Sequence, residues 1–292
     1  MLLARSLAHP RVVLGALAGV LLVCSLVVVP QGQALASALV LFFRGQTIQP
    51  VATDYAHLQN GYRALEELQK LGALQGRLPT QLGPVSSLTA AGSMAGFTVA
   101  QPGTLPSGMP RTPTAVKALA PGQVILTLSA VTADAYFASI GSSRTLPAAL
   151  DGEQLIVHFP GVVLCEYSGA TSGKLYVGQA GQLSVEVAGN ATVDELRTYL
   201  LTLPGLSRDT AAALQSISNW QTTIPLGIPT DRAGWEAITV GGRLGGPGVA
   251  LNDTTAIGSA VVWQQSNGVQ SFGVGGWGLT ANDVQAVANS LQ

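Results

Sequence analysis

Charge is scarce in this chain. Only 10 % of its 292 residues are Asp, Glu, Lys or Arg, against about 25 % in an ordinary soluble domain. The 14 basic and 15 acidic residues nearly cancel, leaving −1 at neutral pH, and no run of like charge occurs. A nucleic-acid-binding surface, which needs clustered Lys and Arg, is therefore not expected. Cysteine is almost missing. Cys24 lies in a long apolar run and Cys165 in a predicted strand, so the two cannot pair. The part of the chain beyond that run then has no internal disulfide, and its stability must come from its core. There are three histidines, His9, His57 and His158, with no His-x-x-x-His and no Cys-x-x-Cys spacing. A zinc site is not expected. A Gly-x-Ser-x-Gly nucleophile elbow is also absent.

What the chain does have is Val12 to Val29, a stretch without a single charge, ended by Pro30. As a helix it spans roughly 27 Å, close to one bilayer core of about 30 Å. Arg5, His9 and Arg11 precede it with no acid among them. That bias keeps the N-terminus in the cytoplasm and exports the rest. A signal peptide has the same layout, and Ala34-Leu35-Ala36 fits a cleavage site, but the apolar run exceeds the usual 7–15 residues. Cys24 fits a lipidation site poorly, because the preceding Val23 is not small. The leading expectation is a cytoplasmic tail (1–11), a retained anchor (12–30) and a juxtamembrane segment with a helix (31–85). An extracytoplasmic domain (86–292) follows, whole or as lobes 86–190 and 191–292.

The order of elements predicts an α+β fold: curved antiparallel sheet with helices packed on it. Residues 46–52 read as extended. Asp54 opens a helix towards Leu71, with Leu58, Tyr62, Leu65 and Leu68 on one face. Residues 72–85 read as a loop. Ser86 or Ser87 opens a short helix ending near Gly96, and Phe97–Ala100 reads as a strand. Val124–Ser129 is a strand, and Thr132 starts a helix to Gly141. Four strands follow, about 153–159, 161–168, 173–178 and 182–187, with short Gly-containing links that predict antiparallel neighbours. Thr192 and Glu195 form a capping box before another helix. A further helix is expected over 207–217, then strands near 222–228, 235–241, 258–265 and 268–274. Thr280 with Asp283 caps the last helix, whose Val284, Val287, Ala288 and Leu291 share a face.

Several of these stretches resemble a known family. They are Ala95-Gly-Phe-Thr-Val99 with Pro102 and Leu105-Pro-Ser-Gly108, then Trp235 to Gly242, Ala260-Val-Val-Trp263, and Gly278 to Leu291. They are similar to extracytoplasmic domains of uncharacterised bacterial membrane-anchored proteins, a kind also found as the outer half of anti-sigma-factor-like regulators. The resemblance implies an outer sensing or accessory role and a closing C-terminal helix. It supplies no catalytic residues. An anti-sigma factor also grips its sigma factor with a cytoplasmic helical domain, and only eleven residues precede the apolar run here. The expectation is an outer sensor or accessory subunit.

Gly273-Val-Gly275-Gly-Trp-Gly278 matches the dinucleotide-binding wording, but the required following strand and acid have no room before residue 292. Nucleotide binding is not expected. Gly241 to Gly248 lacks the Lys-Ser/Thr of a phosphate loop and reads as a hairpin loop. Glu153, His158 and Glu166 lie in neighbouring predicted strands and would matter only if they converged. The four tryptophans, Trp220, Trp235, Trp263 and Trp277, are the candidate ligand-binding residues. Indoles stack on sugars or line lipid grooves, and they also fill cores. The expected function is a membrane-anchored, non-enzymatic extracytoplasmic sensing, accessory or binding domain without cofactor or metal. Its expected partners are the membrane and a membrane or extracytoplasmic protein. The alternatives are a lipid or lipoprotein carrier with an apolar cleft, and an extracytoplasmic hydrolase.

Overall fold

A computed structural model describes residues 47–53, 68–76, 82–169, 173–200, 223–229, 233–253 and 258–292. The apolar run 12–29, most of the helix predicted from Asp54, the helix predicted over 207–217 and Trp220 lie outside these. Among the described residues no helix is long and apolar enough to cross a membrane.

The described chain is mostly β-sheet with few helices, and its two larger sheets are antiparallel and open. Fourteen strands and four α-helices occur in this order: β1 (Thr47–Thr53), β2 (Gly72–Gly76), β3 (Gly83–Pro84), α1 (Leu88–Ala95), β4 (Ala115–Leu119), β5 (Gly122–Leu128), α2 (Ala130–Ser139), β6 (Gln154–Phe159), β7 (Val162–Ser168), β8 (Lys174–Ala180), β9 (Ser184–Ala188), α3 (Val193–Leu200), β10 (Thr223–Pro229), β11 (Ala233–Val240), β12 (Gly246–Asp253), β13 (Gly258–Gln264), β14 (Ser271–Trp277) and α4 (Ala281–Asn289). The large sheet has the order β11-β12-β13-β14-β8-β7-β4-β3, and the small one β2-β5-β6-β9. β1 and β10 form a separate parallel pair. The large sheet takes strands from both sides of residue 190, with β8 paired to β14.

Sequence pattern explains which sheet face is covered. In β5, Val124, Leu126 and Leu128 are buried and alternate with more exposed residues; in β6, Leu155, Val157 and Phe159 do the same. Period two means one buried face. In β8 every residue from Leu175 to Ala180 is buried, so both faces are covered there. On one face lie α1 and α4, whose Ala91, Ala95, Val284, Val287 and Ala288, with Leu291 just beyond α4, join Val163, Cys165, Tyr167, Val177, Trp263 and Phe272 in the main core. On the other face β1 packs over β12 and β13, and Ile48 and Ile228 meet Val249, Leu251, Ala260 and Val262. The small sheet is attended by α2, which packs on the 3-10 turn Leu68–Leu71 and on β2.

Local signals set the helix ends. The Ser87 hydroxyl accepts from Ala90 N–H, and Gly96 closes α1 at φ 82. Only glycine adopts that angle without strain. Thr192 and Glu195 form the expected capping box, with Glu195 Oε2 accepting from Thr192 N–H at 2.7 Å and Thr192 Oγ1 accepting from Glu195 N–H at 3.2 Å. Thr280 and Asp283 do the same for α4.

Several expectations are corrected. Residues 72–76, read as a loop, form β2 against β5. Phe97–Ala100 is not a strand; it runs irregularly to Pro102, which bridges Leu291. β4 and β12 were not foreseen, and α2 is capped by Ser129 rather than Thr132. The link at Pro160-Gly161 is no hairpin turn. β6 pairs with β5 and β9, and β7 with β4 and β8, so the chain there passes from one sheet to the other. It passes back between β8 and β9, where Gly181 N–H donates to Gly161 C=O at 3.1 Å. A Cβ on Gly161 would lie 2.0 Å from the Ala95 carbonyl oxygen, so only glycine lets this crossing pass the end of α1.

Candidate functional site

The tryptophans separate by depth. Trp263 is fully buried. Its ring stacks on Phe272 with centroids 5.3 Å apart, and its indole N–H donates to Leu244 C=O at 2.8 Å. Such a pair contributes about 0.5–1.5 kcal/mol beyond its area burial. The indole has room because Gly248 faces it across the ladder; a Cβ there would meet Trp263 Cβ at 2.6 Å. Trp263 is therefore a core residue with its polar atom satisfied. Trp277 ends β14, paired with Gly258 and Lys174. Trp235 differs: it is 46 % exposed on β11, the edge strand of the large sheet. Its cross-strand partner is Leu251.

Glu153, His158 and Glu166 are not brought together. Glu153 lies just before β6, nearly buried, and accepts from Asn190 N–H at 2.9 Å and Ala191 N–H at 3.1 Å. It holds the turn between β9 and α3. The turn leaves no space for a side chain at Gly189, where a Cβ would fall on the Glu153 carboxylate. His158 is near the end of β6 and faces Glu186 of β9 at 3.8 Å, both partly exposed. Glu166 belongs to β7 of the other sheet. It accepts from Lys174 Nζ at 2.8 Å and Ser168 Oγ at 3.0 Å. Burial would raise the Glu166 carboxyl, but those hydrogen bonds and the charges of Lys174 and Lys117 outweigh it and hold it below its ordinary value. The same hydrogen bond raises Lys174. Each of the three is committed to its own neighbours.

Cys165 points into the main core, and burial pushes its thiol up to about 12. A thiol held protonated is a poor nucleophile and a poor ligand. Among the described residues no group of three His, Cys, Asp or Glu is placed to hold a metal ion. The glycine pattern at 273–278 also takes a definite shape. Gly273 and Gly275 lie inside β14, paired with Gly178 and Tyr176. Gly278 alone makes the turn, at φ 69. A phosphate-binding arrangement would need these glycines in a loop leading directly into the helix.

The feature that sequence reasoning did not single out is the β11 edge itself. Gly234, Trp235, Glu236 and Ala237 are all exposed in succession. The only advance signal was Trp235 beside glycine in a strand with one charge. A protein-family scan, a search of curated proteins and a search of solved structures find no match to this chain.

Proposed function

We propose that this chain is a membrane-anchored extracytoplasmic domain that senses, binds or assists a protein partner and does no covalent chemistry. The observation that carries the reading is the charge-free run Val12–Val29, with Arg5 and Arg11 before it and more than two hundred residues after it. The same role is the one implied by the resemblance read from the sequence at 95–99, 102, 105–108, 235–242, 260–263 and 278–291. The structural commitments of Glu153, His158 and Glu166 weigh against the hydrolase reading. The carrier reading needs space beneath the helices. Trp263, Phe272 and Tyr167 fill that position, each with at most 1 % exposure, which favours an interaction domain.

The test is topological and then biochemical. Protease added to intact protoplasts should remove everything beyond about residue 45, leaving the tail and span. A C-terminal domain protected until the membrane is lysed would sink the exported reading. In-cell photocrosslinking from exposed positions of the domain away from the β11 edge should then capture a membrane or extracytoplasmic protein.

A further inference from the structure

Trp235 stands apart among the described residues. The other large apolar side chains with substantial exposure are Met94, Val131 and Val269, none of them aromatic. Its position relative to the tether gives that exposure a meaning. The register pairs Trp235 with Leu251, and Leu251 with Ala260. Directly opposed residues in a ladder point to one face. Leu251 and Ala260 pack with Ile48, the second residue of β1. Trp235 is therefore on the face where the chain enters the domain from residues 30–46. That connection can extend at most about 60 Å, which bounds the distance of β1 from whatever the apolar run is inserted in and makes this face the one joined to it through the chain.

We propose that the β11 edge on the β1–β10 face, led by the Trp235 indole, rests on the lipid headgroup surface. The inference depends on the anchored reading above and adds the surface by which the domain meets the bilayer. Three features fit that occupant. An indole has an apolar body and a polar N–H, and prefers the headgroup level. The residues of β11 sharing its face, Ala237 and Thr239, carry no charge. Glu236 points the other way, opposite Ala250, which packs on the main core beneath α4. An edge strand also presents unpaired backbone N–H and C=O groups. These exclude insertion into hydrocarbon but are satisfied among hydrated headgroups.

The experiment uses the full chain reconstituted into phosphatidylcholine–phosphatidylglycerol vesicles, some lipids bearing a headgroup spin label that quenches tryptophan emission. Wild type should show a quenched component, and Trp235→Phe should lose most of it. Val269→Trp places an exposed indole at the opposite end of β13 and should add no quenched emission. If Trp235→Phe melts early, Ala237→Glu keeps the indole, sets a charge beside it, and should weaken the quenching. Equal quenching of wild type and Trp235→Phe would overturn the proposal. So would a Trp235 shielded from aqueous acrylamide but not quenched by lipid, with chains crosslinking through β11; that result would assign the edge to a second copy. Flotation with the vesicles separates the two levels. A chain that floats but shows no Trp235-dependent quenching refutes this surface alone. A chain that fails to float refutes the anchor and this surface together.

Discussion

Gln179 and Ala100 exchange two hydrogen bonds deep in the protein. The Gln179 side-chain oxygen accepts from Ala100 N–H at 2.8 Å, and its amide nitrogen donates to Ala100 C=O at 2.7 Å. Gln179 is fully buried, next to last in β8, and Ala100 is 7 % exposed. The side chain thus acts as a strand edge for a segment that has no strand of its own. Buried backbone groups must be paired, and here a single glutamine pairs both.

Replacing Gln179 by leucine should therefore cost more than a core polar-to-apolar change of similar size. Each orphaned group on Ala100 loses about 1–3 kcal/mol, from a total of roughly 5–15 kcal/mol for a domain. Urea unfolding should show the midpoint falling steeply. Gln179→Glu keeps the acceptor, loses the donor, and sets a carboxylate against the Ala100 carbonyl, so it should not rescue the loss. An unchanged midpoint in Gln179→Leu would mean that segment 97–102 is free to repack.

The C-terminal helix should be indispensable. Val284, Val287, Ala288 and Leu291 are all buried at 2 % exposure or less, on β13 and β14. Fully burying Val287 and Leu291 contributes roughly 1.5–3 kcal/mol each. The last residues also tie down the segment after Ala100: Gln101 and Gln292 exchange backbone bonds at 3.0 and 3.1 Å, and Gly103 N–H donates to Ser290 C=O at 3.0 Å. Deleting residues 280–292 should leave the domain protease-sensitive and prone to aggregate. Thr280→Ala alone should cost only about 0.5–2 kcal/mol. A truncated domain with its melting temperature intact would show the helix to be a loose tail.

Acid should loosen the same helix end. The Thr280 hydroxyl, then its backbone N–H, donates to Asp283 and holds that carboxyl below its ordinary value. A depressed carboxyl adds stability above its unfolded value near 3.8, and that stability is lost as pH falls through the folded value. Glu166 and Glu195 are lowered as well, so all three act in the same direction. The unfolding midpoint should be flat from neutral pH down to about pH 5 and drop below about pH 4. Asp283→Asn should be less stable at neutral pH, with a shallower acid limb. An identical limb in both proteins would show that the capping box does not set the acid response.

What the residues determined by themselves is local. Ser87 with Gly96, Thr192 with Glu195, and Thr280 with Asp283 mark helix ends because a cap is made within four residues of chain. The alternation in β5 and β6 marks strands because one covered face imposes period two. The tertiary structure decided everything that depends on a distant partner. β2 is a strand because β5 supplies its hydrogen bonds, although Gly72-Ala-Leu-Gln-Gly76 has no strand pattern. Pro160-Gly161 looks like a hairpin turn, yet it is a crossing between sheets, because a short link constrains direction and not which strand becomes the neighbour. Gln179 is legible as a strand residue but not as the partner of Ala100, 79 positions away. The tryptophans were equivalent in sequence. Trp263 became core because Gly248 and Phe272 face it, and Trp235 stayed open because β11 is the last strand of its sheet. Burial is a property of what the rest of the chain lays over a residue, and no local pattern carries it.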